Sequence, residues 1–85
     1  MTIDREAGIR RVLIDALGVE ADALTATATL VEDLGADSLD MVEIGMALEA
    51  EFGIEISDQE IEGWTLYTVG DVRSYLDRRL AEARA

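Results

Sequence analysis

Leu34-Gly35-Ala36-Asp37-Ser38-Leu39-Asp40 leads without a break into Met41-Val42-Glu43-Ile44-Gly45-Met46-Ala47-Leu48-Glu49-Ala50-Glu51-Phe52, and Gly53 follows. The stretch reads as a loop, a tight glycine turn and one helix. The helix is predicted to begin near Ser38, since either Asp37 or Ser38 suits the N-cap, where a side-chain oxygen satisfies an otherwise unpaired first-turn amide. It is predicted to end near Phe52, with Gly53 as its left-handed stop. At about 100° per residue, Met41, Ile44, Leu48 and Phe52 share one arc, and Leu39, Val42 and Met46 share another beside it. Asp40, Glu43 and Glu51 form a narrow acidic strip on the remaining side, with Ala47 among them. A helix apolar over so much of its circumference has more than one surface to cover. One arc suits a core; the other suits either more core or a partner or ligand.

Moving outward, Ile9, Val12, Leu13, Ala16 and Leu17 recur at helical spacing and predict a first helix from about Asp4 to Leu17, closed by Gly18. The connection from Gly18 to Asp37 keeps neither a helical nor a strand period, and Leu24 and Leu30 are its expected core anchors. Beyond Gly53, Ile54 and Ile56 pin a short connection, and Ser57-Asp58-Gln59-Glu60 has the form of a capping box that opens a short third helix. Gly63-Trp64-Thr65-Leu66-Tyr67 interrupts it, with Trp64 expected in packing. Thr68-Val69-Gly70-Asp71 then caps a last helix, whose buried stripe is Val69, Val72, Tyr75, Leu76 and Leu80. The expectation is an all-α, small four-helix bundle, three longer helices and one short, forming a single domain over residues 1–85 with its core at about 4–80.

Composition narrows the function. The chain has 85 residues, no Cys and no His, so thiolate metal sites and the commonest general base are both missing. Its net charge is −12, and fifteen acids but no base lie between Val12 and Val72. The bases are all Arg, at positions 5, 10, 11, 73, 78, 79 and 84. Such a field repels nucleic acid and anionic membranes and favours proteins with basic docking patches. No apolar run reaches the length of a membrane span and the chain does not open on a signal-like segment, so the reading is a cytoplasmic monomer. Carboxylates are numerous, but nothing marks a catalytic constellation, and no metal-ligand spacing is evident.

The segment Gly35-Ala36-Asp37-Ser38-Leu39 resembles the phosphopantetheine attachment site of the acyl carrier protein family. The likeness continues through Val42-Glu43, Met46-Ala47-Leu48-Glu49, Glu51-Phe52-Gly53-Ile54, Ile56-Ser57-Asp58 and Thr68-Val69-Gly70-Asp71-Val72, so that it covers about Ile9 to Leu76. The resemblance implies a carrier, not an enzyme. Ser38 would bear 4'-phosphopantetheine taken from coenzyme A, with Asp37 and Leu39 as its neighbours and Asp37 assisting a phosphopantetheinyl transferase. A serine without a base is a poor nucleophile, so that transferase must supply the base. Asp37, Asp40, Glu43, Met46, Glu49 and Glu51 would form the surface that meets acyltransferase, ketosynthase, reductase or dehydratase enzymes. Fatty-acid and polyketide synthesis are both open. Aminoacyl or peptidyl carriers more often show Gly-Gly-x-Ser, and an acidic helical interaction module without a cofactor is the alternative from another class.

Three features depart from the family's usual pattern. Gly45 stands mid-helix, where glycine costs about 1 kcal/mol against alanine, and is expected to leave interior room for cargo. The link from Ile61 to Tyr67 is longer than usual. Lys is absent.

Overall fold

A computed structural model describes residues 5–84. Its helices are α1 (Arg5–Leu17), α2 (Ser38–Phe52), α3 (Asp58–Glu62) and α4 (Val69–Arg84), with single 3-10 turns at Ala21–Ala23 and Gly63–Leu66. The expected four-helix, all-α architecture is therefore present. Asp4, where the first helix was expected to begin, lies outside the described residues.

The helices start and stop where side-chain chemistry allows. Gly53 sits at φ 67° and closes α2 by giving its N–H to the Glu49 carbonyl. Ser57 and Glu60 form the expected capping box of α3. Thr68 and Asp71 exchange the equivalent pair of bonds at the start of α4, at 3.1 Å and 3.0 Å. Each such cap satisfies amides that have no helical partner.

Ile9, Val12 and Leu13 of α1 meet Met41, Ile44 and Leu48 of α2 and Val72, Tyr75 and Leu76 of α4 in one core. Burying a side chain of this size contributes about 1.5–3 kcal/mol. Four stripe residues sit at its margin, since Ala16, Leu17, Phe52 and Leu80 are only partly buried. Gly8, which carried no signal in the sequence, is where α1 and α2 approach: a methyl group added there would lie 2.9 Å from the Phe52 ring.

The connection between α1 and α2 is more ordered than its lack of periodicity suggests. Leu24, Ala28, Leu30, Leu34 and Ala36 are all buried. Its backbone is bonded to the start of α4, through Leu30 N–H to Tyr67 O (2.9 Å), Val69 N–H to Ala28 O (3.0 Å) and Gly70 N–H to Ala26 O (2.9 Å). An isolated antiparallel bridge joins Thr29 to Thr68. Partners this remote leave no local period to read. The segment after α3 differs in a related way: Gly63 keeps helical angles, and the chain tightens into a 3-10 turn instead of breaking. Trp64 is buried there, 1% exposed, stacked on Tyr67 and edge-on to Tyr75.

The room expected beside Gly45 is filled. Ile61 of α3 occupies it, with its Cδ1 and Cγ1 atoms 2.7 Å and 3.1 Å from where a Cβ on Gly45 would stand. The missing side chain on α2 admits a large one from α3.

Candidate functional site

The loop delivers Ser38 to a fixed place. Ala36 is 4% exposed and gives its N–H to Leu30 O at 2.9 Å, so the residue two before Ser38 is tied to the loop that α4 holds. Gly35 makes the turn at φ 77°, a left-handed angle that costs a residue with a Cβ about 1–2 kcal/mol. Thr29 and Asp33 brace the same turn by exchanging bonds: the Thr29 N–H donates to the Asp33 carboxylate and the Asp33 N–H to the Thr29 hydroxyl.

Asp37 is the N-cap of α2 and Ser38 its first helical residue, which decides between the two candidates named from sequence. The Asp37 carboxylate accepts from Asp40 N–H at 2.8 Å, and the Asp40 carboxylate accepts from Asp37 N–H at 3.1 Å. Asp40 was read as a surface acid; its reciprocal capping role was visible as Asp-x-x-Asp, a variant of the usual box. The pair leaves the Ser38 and Leu39 amides as the first-turn donors without a hydrogen-bond acceptor among the described residues. Ser38 itself is exposed. A phosphodiester on its Oγ would stand at the positive end of a fifteen-residue helix beside two open N–H groups, so the residues present fit such a group.

Leu39, Val42 and Met46 face outward at 80%, 46% and 64% exposure, which rules out core packing for that arc. With Asp40, Glu43 and Ala47 they line a shallow trough along α2. Glu43 is exposed and has no hydrogen-bond or ion-pair partner among the described residues. Glu49 and Glu51 are engaged inside the chain. Glu49 accepts from Ile56 N–H at 2.8 Å, and Glu51 pairs with Arg11 of α1 at 2.5 Å. The acidic residues named from sequence thus divide into a group around Ser38 and a pair that holds other elements. Among the described residues no group of His, Cys, Asp or Glu is gathered in a way that would hold a metal ion, and no helix is long and apolar enough to cross a membrane.

An exposed serine at the head of a long helix, a loop tied down behind it and an acidic, partly apolar face beside it define a carrier domain. A family model described as the phosphopantetheine attachment site matches residues 7–76, and the chain belongs to this family. Members carry 4'-phosphopantetheine on a serine; the domain bears the cofactor and is not itself the catalyst. As carriers they meet a phosphopantetheinyl transferase and the enzymes that act on the cargo.

Proposed function

We propose that this chain is a single-domain acyl carrier protein whose Ser38 holds 4'-phosphopantetheine, and that it delivers acyl groups to separate enzymes of fatty-acid or polyketide synthesis. The observation that carries the proposal is the placement of Ser38. The chain has three serines, Ser38, Ser57 and Ser74. The Ser57 hydroxyl is committed to Glu60, and Ser74 lies inside α4, away from any free helix end. Ser38 alone combines exposure, the start of a long helix and unpaired amides for a phosphate.

Each neighbour has a role in this reading. The Ser38 oxygen forms the phosphoester bond, with a base from the transferase because the chain has no His. Asp37 and Asp40 hold the helix start and, with Glu43, present negative charge to basic patches on the transferase and on acyltransferase, ketosynthase, reductase or dehydratase partners. Leu39 and Met46 add apolar contact at the rim of that surface. Glu49 and Glu51 keep their first duty to Ile56 and Arg11. When attached, the cofactor supplies a terminal thiol that carries acyl groups as thioesters. The same reading places the chain in the cytoplasm as a monomer. The Gly-Ala-Asp-Ser sequence favours acyl cargo over the aminoacyl or peptidyl alternative.

Incubation of the purified chain with coenzyme A and a broad-specificity transferase tests this. Intact mass is expected to rise by one phosphopantetheinyl group in the wild type, Ser57→Ala and Ser74→Ala, and not at all in Ser38→Ala. No gain in the wild type supports the cofactor-free interaction module instead, and a gain in Ser38→Ala overturns the assignment.

A further inference from the structure

α1 and α2 leave an open furrow of about 340 Å³ along one flank of their seam. Its apolar lining is small: Val12 and Ala16 from α1, Ala47 and Ala50 from α2. Its charged lining is Arg11 and Asp15, one turn apart on α1, with Glu43 and Glu51 on α2. Arg11 and Glu51 pair across it at 2.5 Å. Asp15 and Glu43 are both exposed, and neither carboxylate has a hydrogen-bond or ion-pair partner among the described residues.

The furrow thus holds one acid that has a base and two that have none. Other bases of the chain are engaged elsewhere. Arg5 pairs with Asp77, Arg73 with Glu6, and Arg10 donates to the Ala21 carbonyl. Arg79 donates to the Glu55 carbonyl at 2.7 Å and to the Tyr75 hydroxyl, and stands 3.6 Å from the Glu60 carboxylate. Glu43 also lines the trough of Leu39, Val42 and Met46, so the furrow continues the surface beside Ser38. An enzyme that modifies Ser38 must cover that serine, and an interface of standard size occupies about 800 Å² on each partner, roughly 16 Å in radius. Glu43 lies only about 7.5 Å further along the axis of α2, within that footprint.

We propose that the α1–α2 furrow seats one basic side chain of the phosphopantetheinyl transferase, its aliphatic stem along Ala47 and Ala50 and its cation between Asp15 and Glu43. The identity of the partner rests on the carrier reading; the seat rests on the furrow. A long basic side chain covers apolar surface with its stem while its head stays at the carboxylates. A guanidinium suits the place best, since its fork of donors can serve carboxylates from two helices at once. Docking then reaches beyond α2 onto α1 through Asp15, which in the sequence looks like any solvated acid.

Loading of the full chain by a broad-specificity transferase with excess coenzyme A, followed by intact mass, tests the seat. Asp15→Asn is expected to raise KM for the chain about fivefold and to leave kcat within about twofold, because docking is weakened and the bond-forming step is not. Asp15→Glu should recover most of the loss. Ala50→Leu, which fills the furrow without changing charge, should raise KM in the same way. Glu55→Gln removes one charge beyond the opposite end of α2 from Ser38 and should leave KM unchanged. No rise in Asp15→Asn, or an equal rise in Glu55→Gln, overturns the proposal. N-Butylguanidinium, an arginine-like head on a short stem, gives a readout independent of the transferase. Its addition is expected to shift the amides of Ala16, Ala47 and Ala50 in the wild type and not in Asp15→Asn. If the wild type is never loaded, the carrier reading fails, and this titration still judges the seat: unshifted amides overturn it.

Discussion

Ser38 and Trp64 stand at the two ends of one design problem, how a small domain holds a segment in place. Around Ser38 the solution is largely backbone, Tyr67 to Leu30 and Leu30 to Ala36, with side-chain braces from Asp37 and Asp40 and from Thr29 and Asp33. Around Trp64 it is side chains: an aromatic stack, an isoleucine in a glycine notch and an arginine with several acceptors. Backbone bonds between distant segments survive most substitutions, because every residue but proline supplies the same groups. A side-chain fastening depends on the few residues that make it. The part that must present a hydroxyl reproducibly is held chiefly in the first way, and the segment around Trp64 in the second.

The comparison breaks most readily at Trp64. Truncating an almost wholly buried indole in Trp64→Ala is expected to cost about 3–5 kcal/mol, read as a fall in melting temperature. If the two fastenings are independent, exchange in 59–66 should rise far more than exchange at Ala36 and Met41. Equal acceleration in both regions would merge them into one cooperative unit. A smaller effect is expected at the other end. Asp37→Ala should cost about 1 kcal/mol through loss of the N-cap, and Gly35→Ala about 1–2 kcal/mol through its left-handed angle. Both should loosen amides around Ser38 and leave Trp64 fluorescence unaltered; a shift in that fluorescence would show that the two regions are coupled.

The mildest test is pH. The Ser57 N–H bond holds the Glu60 carboxyl below its ordinary value of 4.5, with Tyr75 and Arg79 acting in the same direction against a desolvation cost. A depressed carboxyl contributes stability that is present above 4.5 and lost as pH falls through its folded value. Burial, then the bond to Glu60, raises the Tyr75 hydroxyl above 10.0. Its contribution is present below that value and lost as pH rises through the folded one. Amides in 59–66 should therefore loosen as pH falls through the Glu60 value and again as it rises through the Tyr75 value. Glu60→Gln should flatten the acid limb, and Tyr75→Phe the alkaline limb.

Much of this was legible in the sequence where a local signal exists. Gly53, the Ser57–Glu60 box and the Met41, Ile44 and Leu48 arc each act through neighbours within a few residues, so spacing alone places them. Ser38 was legible because its setting, Gly35-Ala36-Asp37-Ser38-Leu39, is a motif with a chemical purpose. The loop was legible only in its anchors, Leu24 and Leu30, which are buried as expected; its order was not, because Ala28 and Leu30 are paired with Val69 and Tyr67, about forty residues away. Gly45 misled for the same reason: a glycine reads as a gap until the residue that fills it, Ile61, is known to lie across from it. Arg79 carried no signal at all, since an arginine among acids on a last helix looks like any solvated charge.

The central claim is the point of attachment, and the most direct measurement of it is tandem mass spectrometry on the protein purified from its native host. The account predicts a phosphopantetheinyl group on the fragment that contains Ser38. The same group on Ser57 or Ser74, or an unmodified Ser38 throughout the purified material, would contradict it.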